Sequence, residues 1–234
     1  MNKEKYNIKY AVAAARGYFK RKPDAYKGEV SLLCKELSLL SEGEQEEIMR
    51  QVEIAGIKAR HFKNSDRQLP RVNKVLGFLK GIYFETLLDV GSGHGVFLIP
   101  FLEDFPYVEV SSVDILPERI EMLSDLSLGG VDNLTAEVAD ICSSPYEKNS
   151  FDVVTMLEVL EHIPDVEAAI RSAVETARKY VIITVPSKED SNPDHIHLLT
   201  KEKLTALFNA CGVTRLTFDS VPGHLFMIAK KEER

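Results

Sequence analysis

The residues best equipped for chemistry lie close together near position 160. Glu158 and Glu161 precede His162, and His195 follows further along in the run P-D-H-I-H. Histidine titrates near neutral pH and can act as a general base. Carboxylate oxygens and imidazole nitrogens together also make a mixed ligand set for a divalent metal. We expect acid–base chemistry without a metal, with Glu158, Glu161 and His162 as catalytic residues. If a metal binds, its ligands would be Glu158, Glu161, His162 and His195.

A second informative stretch is the glycine-rich run L-L-D-V-G-S-G-H-G at 87–95. A short apolar run that ends in glycines is typical of a buried strand followed by a tight loop. Glycine accepts a positive φ and lets a ligand lie against bare backbone, and the next helix starts with free N–H groups. Val96 stands where the dinucleotide fingerprint needs a small residue, and no Gly-Lys-Ser/Thr phosphate loop occurs. The loop therefore predicts a nucleotide-like ligand that is not a dinucleotide.

An acid follows the next strand-like run. Asp114 comes about 20 residues after the glycine loop, and its carboxylate can accept both hydrogen bonds of a ribose diol. A dinucleotide enzyme would share this acid, so Asp114 indicates a nucleoside without identifying it. The alternative is a charged residue at the start of the helix predicted from Pro117.

The rest of the chain predicts an α/β fold that brings these residues together. From Thr86 onward, strand-like and helix-like runs alternate, which predicts βαβ crossovers and a Rossmann-like sheet. We expect seven mostly parallel strands, one antiparallel strand at an edge, and helices on both faces. In such sheets ligands bind at the carboxyl ends of the strands. The predicted strands are 86–90, 108–113, 134–139, 151–157, 180–185, 213–218 and 224–229, and the predicted helices are 96–104, 117–126, 165–178 and 200–211.

The N-terminal part has a different pattern. We expect residues 1–80 to form a helical cap and residues 81–234 to form the α/β domain. Eight Lys and Arg residues within 1–30 leave two interpretations, an RNA or anionic-substrate contact around 16–22 or a solvated helix face. Helices are predicted over 11–19, 26–40, 46–61 and from Pro70 to Leu79, with Ser41 and Glu44 as a capping box.

Composition narrows the function classes. The chain has 234 residues and a net charge of −7, which argues against a globally basic surface for nucleic acid. Three widely spaced cysteines without a C-x-x-C motif indicate reduced thiols in a cytoplasmic protein. The polar N-terminus and the absence of an 18-residue apolar run predict neither a secretory signal nor a membrane span.

Three ordered motifs resemble those of class I S-adenosylmethionine (SAM) methyltransferases. They are the glycine loop, D-I at 140–141 followed by F-D-V-V at 151–154, and E-V-L-E-H-I-P-D at 158–165. The resemblance implies transfer of the sulfonium methyl group to oxygen or nitrogen of a small-molecule acceptor. It also implies that Asp140 accepts a hydrogen bond from the adenine amino group. The cofactor-site residues that it implies are Asp89, Gly91, Ser92, Gly93, Gly95, Asp114, Ile115, Asp140, Ile141 and Glu158.

Two alternative functions stay open. Glu158-x-x-Glu161-His162 with a downstream His195 is similar to the metal ligands of small-RNA 3′-terminal 2′-O-methyltransferases. Those sequences carry D-H-x-F-E-W where this chain has D-H-I-H-L-L, which counts against RNA ends. The other alternative is a non-catalytic SAM-binding module.

Overall fold

The protein is built around a single mixed β-sheet. The computed structural model describes residues 3–57, 69–143 and 146–232, with side chains from residue 8 onward. The strands are β1 (Thr86–Val90), β2 (Glu109–Asp114), β3 (Leu134–Val138), β4 (Phe151–Leu157), β5 (Ala177–Pro186), β6 (Arg215–Val221) and β7 (His224–Lys230). The helices are α1 (Lys3–Arg21), α2 (Ser31–Cys34), α3 (Glu42–Ile54), α4 (Pro70–Leu79), α5 (Leu98–Asp104), α6 (Pro117–Leu128), α7 (Val166–Thr176) and α8 (Lys201–Ala210).

The sheet topology confirms the predicted α/β architecture. The strand order is β3-β2-β1-β4-β5-β7-β6, and β1 to β5 pair in parallel. The antiparallel strand predicted near one edge of the sheet is β7. It lies between β5 and the outermost strand β6. Chain order reverses between the central strands β1 and β4, which creates the crevice where ligands bind in open α/β sheets.

Two apolar layers hold helices against opposite faces of the sheet. One layer joins α4, α5 and α6 to the sheet through residues such as Val75, Phe101 and Leu123. The other joins α7 and α8 through residues such as Ile170 and Phe208. Burial on both faces explains why β4 is apolar along nearly its whole length and why its limits could be predicted to the residue.

The helix predicted over 26–40 is wrong. This segment forms only the short α2 and a 3₁₀ turn at Leu37–Leu39, separated by extended backbone at Lys35. The cause is Arg16, whose guanidinium donates hydrogen bonds to the carbonyl oxygens of Leu33 (3.0 Å) and Lys35. Because these carbonyl oxygens accept hydrogen bonds from the buried guanidinium, they are not used for the backbone hydrogen bonds of a longer helix.

The basic stretch of α1 contacts α6. Arg16 is 2% exposed and donates to the Gly129 carbonyl at 2.8 Å, and Arg21 makes a bidentate pair with Asp125. The helices approach so closely that a Cβ on Gly17 would come 1.9 Å from the Asp125 carbonyl oxygen. Arg16 is therefore a buried structural residue, whereas Arg21 is exposed and ion-paired with α6.

The remaining N-terminal helices follow their predicted signals. The capping box precedes α3, with the Ser41 N–H donating to the Glu44 carboxylate at 2.7 Å and the Glu44 N–H donating to Ser41 Oγ at 3.3 Å. The helix predicted over 46–61 starts earlier, at Glu42, and ends at Ile54, before Gly56 with its φ of +66°; positions 58–61 of the prediction lie outside the described residues. In the part of the chain that the structure describes, every helix is too short or too polar to cross a bilayer.

Candidate functional site

The glycine loop makes a tight turn between β1 and α5. Gly91, Gly93 and Gly95 have φ values of +70°, +55° and +74°, and the Gly91 N–H donates to the Val113 carbonyl at 2.7 Å. A Cβ added to Gly91 would come 2.6 Å from Cγ2 of Val159. Positive φ and this close approach together require glycine at position 91. The loop is therefore fixed between the ends of β2 and β4.

The buried carboxylate of Asp89 is hydrogen-bonded to the glycine loop. It accepts a hydrogen bond from Thr155 Oγ1 at 2.7 Å and another from Ser92, whose hydroxyl lies 2.6 Å from that of Ser112. Burial raises the pKa of Asp89 to about 6, although both hydrogen bonds favour the ionised form. This hydroxyl network ties β1, β2 and β4 together under the turn.

A cavity of about 750 Å³ opens at the carboxyl ends of the central strands. Its size falls in the range of small-molecule sites. It brings together nearly all of the predicted cofactor residues; Gly95 is outside its lining. The predicted site residues that line it are Asp89, Gly91, Ser92, Gly93, Asp114, Ile115, Asp140, Ile141, Glu158 and His162.

The acid that ends β2 and the acid that follows β3 both lie on the cavity wall. Asp114 is 5% exposed, accepts from the Leu116 N–H at 3.0 Å, and lies 3.3 Å from the Arg119 guanidinium. Asp140 is exposed, and its Oδ1 accepts from the Cys142 N–H at 2.9 Å at the start of a short turn. Each carboxylate has acceptor capacity left for a ligand.

Glu158 leaves β4 in an unusual conformation. It has a φ of +59°, and its N–H donates to the Thr184 carbonyl at 2.9 Å. Its Oε2 lies 2.8 Å from Nε2 of His224 at the start of β7, which no spacing rule connects to position 158. The only sequence signal for this pair was the P-G turn, which brings the start of β7 beside the end of β5.

The other predicted catalytic residues form a separate cluster. One ligand atom each from Glu161, His162 and His195 can be chosen so that all lie within 4.8 Å of one another. Nδ1 of His162 lies 2.9 Å from the Asp194 carbonyl, and Nδ1 of His195 lies 2.8 Å from the Asp190 carboxylate. The structure thus brings together three of the four conditional metal ligands and pairs Glu158 with His224 instead.

Glu161 is the buried member of this cluster. It is fully buried, and neither carboxylate oxygen has a hydrogen-bond partner among the described residues. Burial, reinforced by the carboxylates of Glu158 and Asp190, raises the pKa of Glu161 to about 8. At neutral pH the carboxyl group is therefore mostly protonated unless a cation reaches it.

Comparison with known proteins identifies the family. A family model described as a methyltransferase domain matches residues 50–217. Norajmaline N-methyltransferase of Rauvolfia serpentina is 24% identical over 128 residues, which is 50% of this chain and 44% of that protein. Ubiquinone biosynthesis O-methyltransferase of Serratia proteamaculans is 30% identical over 120 residues, 50% of this chain and 48% of that protein. The chain thus matches about half the length of these curated relatives.

Solved structures share the fold of this chain. A phosphoethanolamine N-methyltransferase of Haemonchus contortus, solved with SAM, superposes with a TM-score of 0.60 at 17% identity, over 69% of this chain and 53% of that one. The family match covers most of the chain and includes the glycine loop, both acids and the 158–165 motif. The chain therefore belongs to the methyltransferase-domain family, within the class I SAM-dependent methyltransferases that its motifs resemble.

Proposed function

We propose that the cavity binds SAM and that the chain transfers its methyl group to an oxygen or nitrogen of a small-molecule acceptor. The observation that carries this proposal is the convergence of the glycine loop, Asp114 and Asp140 on one cavity wall. The relatives include an N-methyltransferase and an O-methyltransferase whose names refer to small molecules. This supports a small-molecule acceptor for this chain.

The residues present fit SAM. Bare backbone at Gly91 and Gly93 leaves room for the amino-acid end, Asp114 offers acceptors to a ribose diol, and Asp140 offers one to an adenine amino group. The exposed side chain of Ile115 supplies an apolar surface beside Asp114. When bound, SAM supplies a methyl group already activated by its sulfonium charge.

His162 is the residue that we assign to proton removal. Its Nδ1 faces a carbonyl oxygen, which only accepts, so Nδ1 carries the proton and Nε2 keeps a lone pair in the neutral ring. That nitrogen can take the proton of an acceptor hydroxyl or ammonium group. Glu161, in the same cluster, would stabilise the resulting imidazolium.

Asp114→Asn is expected to weaken SAM binding by about 1–3 kcal/mol, or roughly 5- to 150-fold in Kd. Asparagine keeps the size of the side chain but replaces one acceptor oxygen by an N–H donor. Isothermal titration calorimetry measures the change. Arg119→Gln is the matched control, since it removes the neighbouring guanidinium and keeps both acceptor oxygens. If Asp114→Asn binds SAM as tightly as the wild type, Asp114 is not a ribose ligand.

The proposed activity is tested by release of S-adenosylhomocysteine from SAM in the presence of a panel of small hydroxyl and amine compounds. We expect acceptor-dependent release that is lost in Asp114→Asn at subsaturating SAM. A chain that binds SAM but releases no product with any member of the panel would support the non-catalytic binding module.

The cluster of Glu161, His162 and His195 supports a second candidate, a metal-assisted form of the same transfer. In metal sites a histidine ligand usually donates its other ring N–H to a carbonyl or carboxylate, and both histidines do so here. The orphaned carboxylate of Glu161 supplies a third ligand. A bound divalent ion would polarise an acceptor oxygen.

Added Zn²⁺ or Mn²⁺ separates the two candidates. Metal binding should raise the melting temperature of the wild type and of His197→Asn, but not that of His195→Asn. His197 is a suitable control because it contacts the Pro164 carbonyl and is outside the cluster. Turnover that is unchanged in EDTA would leave acid–base catalysis by His162 as the mechanism.

Glu161→Gln is expected to stabilise the metal-free protein increasingly as pH rises. Because burial raises the pKa of Glu161 from 4.5 to about 8, the native state holds a proton that the unfolded state has lost between those values. Wild-type stability therefore falls across this range, by at most about 1.4 kcal/mol per pH unit from this group. Urea unfolding in EDTA at several pH values measures the difference. Parallel pH profiles for the two proteins would contradict it.

We place the protein in a reducing compartment, the cytoplasm. Cys34, Cys142 and Cys211 are all free thiols, which supports this location. Arg16 and Arg21 are bound to backbone carbonyls and to α6, so these two residues do not support the RNA-end alternative.

A further inference from the structure

His224 and Glu158 form a pair that the proposed chemistry does not explain. His224 begins β7 opposite Pro186, at the end of β5, and Glu158 follows β4 on the other side of β5. Nε2 of His224 lies 2.8 Å from Glu158 Oε2, and its Nδ1 lies 3.0 Å from the Pro222 carbonyl. The β6–β7 turn thus reaches the cavity wall through one imidazole ring.

The pair holds Glu158 in one position. A positive φ is unfavourable for glutamate and persists only where its surroundings determine it. Here the backbone N–H is tied to Thr184 on β5 and the carboxylate is tied to His224 on β7. Both ring nitrogens of His224 face acceptor oxygens, so the ring is held between the β6–β7 turn and the Glu158 carboxylate.

The carboxylate still has binding capacity. An ionised carboxylate offers about four lone-pair sites. Oε2 receives His224, whereas Oε1 has no partner among the described residues, and Glu158 lines the cavity. A carboxylate left with unused acceptor sites at a cavity wall calls for a donor on the ligand.

We propose that His224 is a positioning residue that holds Glu158 so that its carboxylate binds an N–H or O–H donor of the ligand in the cavity. This proposal rests on the proposed function. The donor has two possible sources, the ammonium group at the amino-acid end of SAM and an amine or hydroxyl of the acceptor. Either source would use the contact with His224 to keep the carboxylate correctly oriented.

Three variants test the role of His224. His224→Phe keeps a flat ring without a donor, His224→Gln restores a side-chain N–H, and Glu158→Gln removes the charge. Calorimetry compares S-adenosylhomocysteine with 5′-methylthioadenosine, which has the same nucleoside but no amino-acid end. Melting temperatures show that each variant is folded.

If the ammonium group is the donor, His224→Phe should weaken S-adenosylhomocysteine binding at least tenfold, leave methylthioadenosine binding unchanged, and be largely rescued in His224→Gln. If the acceptor is the donor, both affinities should stay unchanged while the acceptor KM rises in His224→Phe and recovers in His224→Gln. In both cases His224→Phe should add little to Glu158→Gln, because it acts through the same carboxylate.

Two results would overturn the proposal. One is a folded His224→Phe protein with ligand affinities and acceptor KM within twofold of the wild type. The other is an additive loss in the double variant, which would mean that His224 acts independently of Glu158. Failure of the wild type to bind S-adenosylhomocysteine at all would instead overturn the proposed function.

Discussion

Replacing His162 with asparagine is expected to lower turnover by about 10²- to 10⁴-fold while SAM affinity stays nearly unchanged. Asparagine can still donate to the Asp194 carbonyl that holds the ring, but it offers no basic nitrogen. The loss should therefore appear in kcat and not in the Kd for SAM. Release of S-adenosylhomocysteine with an accepted substrate gives the first quantity, and calorimetry gives the second.

His197→Asn is the matched control for this substitution. His197 belongs to the loop after β5 that also contains Asp194, and it contacts a carbonyl oxygen, that of Pro164, but it does not line the cavity. It should retain turnover close to that of the wild type. Full activity of His162→Asn would show that His162 only packs, and equal losses in both variants would point to a general effect on the loop.

Gly91→Ala is expected to raise the Kd for SAM by about 5- to 150-fold. The φ of +70° strains any side chain, and the new methyl group would come 2.6 Å from Val159. A backbone strain of about 1–3 kcal/mol corresponds to a change of this size if it is relieved by moving the loop away from the ligand. Calorimetry with SAM measures the affinity, and circular dichroism confirms the fold.

Gly77→Ala provides the control for adding a methyl group. Gly77 is in α4, and nothing lies within 4 Å of the Cβ that it would gain. This variant should bind SAM like the wild type and be slightly more stable, since alanine favours helix. Unchanged SAM affinity in Gly91→Ala would mean that the loop does not contact the ligand.

The sheet could be predicted closely because its pattern is local. β1 and β4 coincide with the predicted limits, since both are buried on two faces and end at abrupt changes in polarity. The other strands shift by one to three residues at one or both ends. The crevice followed from topology alone, as did the shared wall of Asp114 and Asp140.

What could not be predicted depends on contacts between distant positions. The helix expected over 26–40 is interrupted where the Arg16 guanidinium of α1 binds backbone carbonyls. The identity of residue 16 does not indicate which carbonyl oxygens it will bind. Glu158 was assigned to the same conditional metal site as Glu161, but their side chains separate because Glu158 takes a positive φ and pairs with His224. Because the backbone is not helical at Glu158, the side chains of Glu158 and Glu161 do not lie on one helix face.

The most direct test of the account is a calorimetric titration of the wild type with SAM, repeated with NADH and with Asp114→Asn. The central claim is that the cavity at the ends of β1, β2 and β4 is a SAM site. We predict saturable binding of one SAM per chain, a clear loss of affinity in Asp114→Asn, and no binding of NADH. Absence of saturable SAM binding, or binding of NADH in its place, would contradict the account.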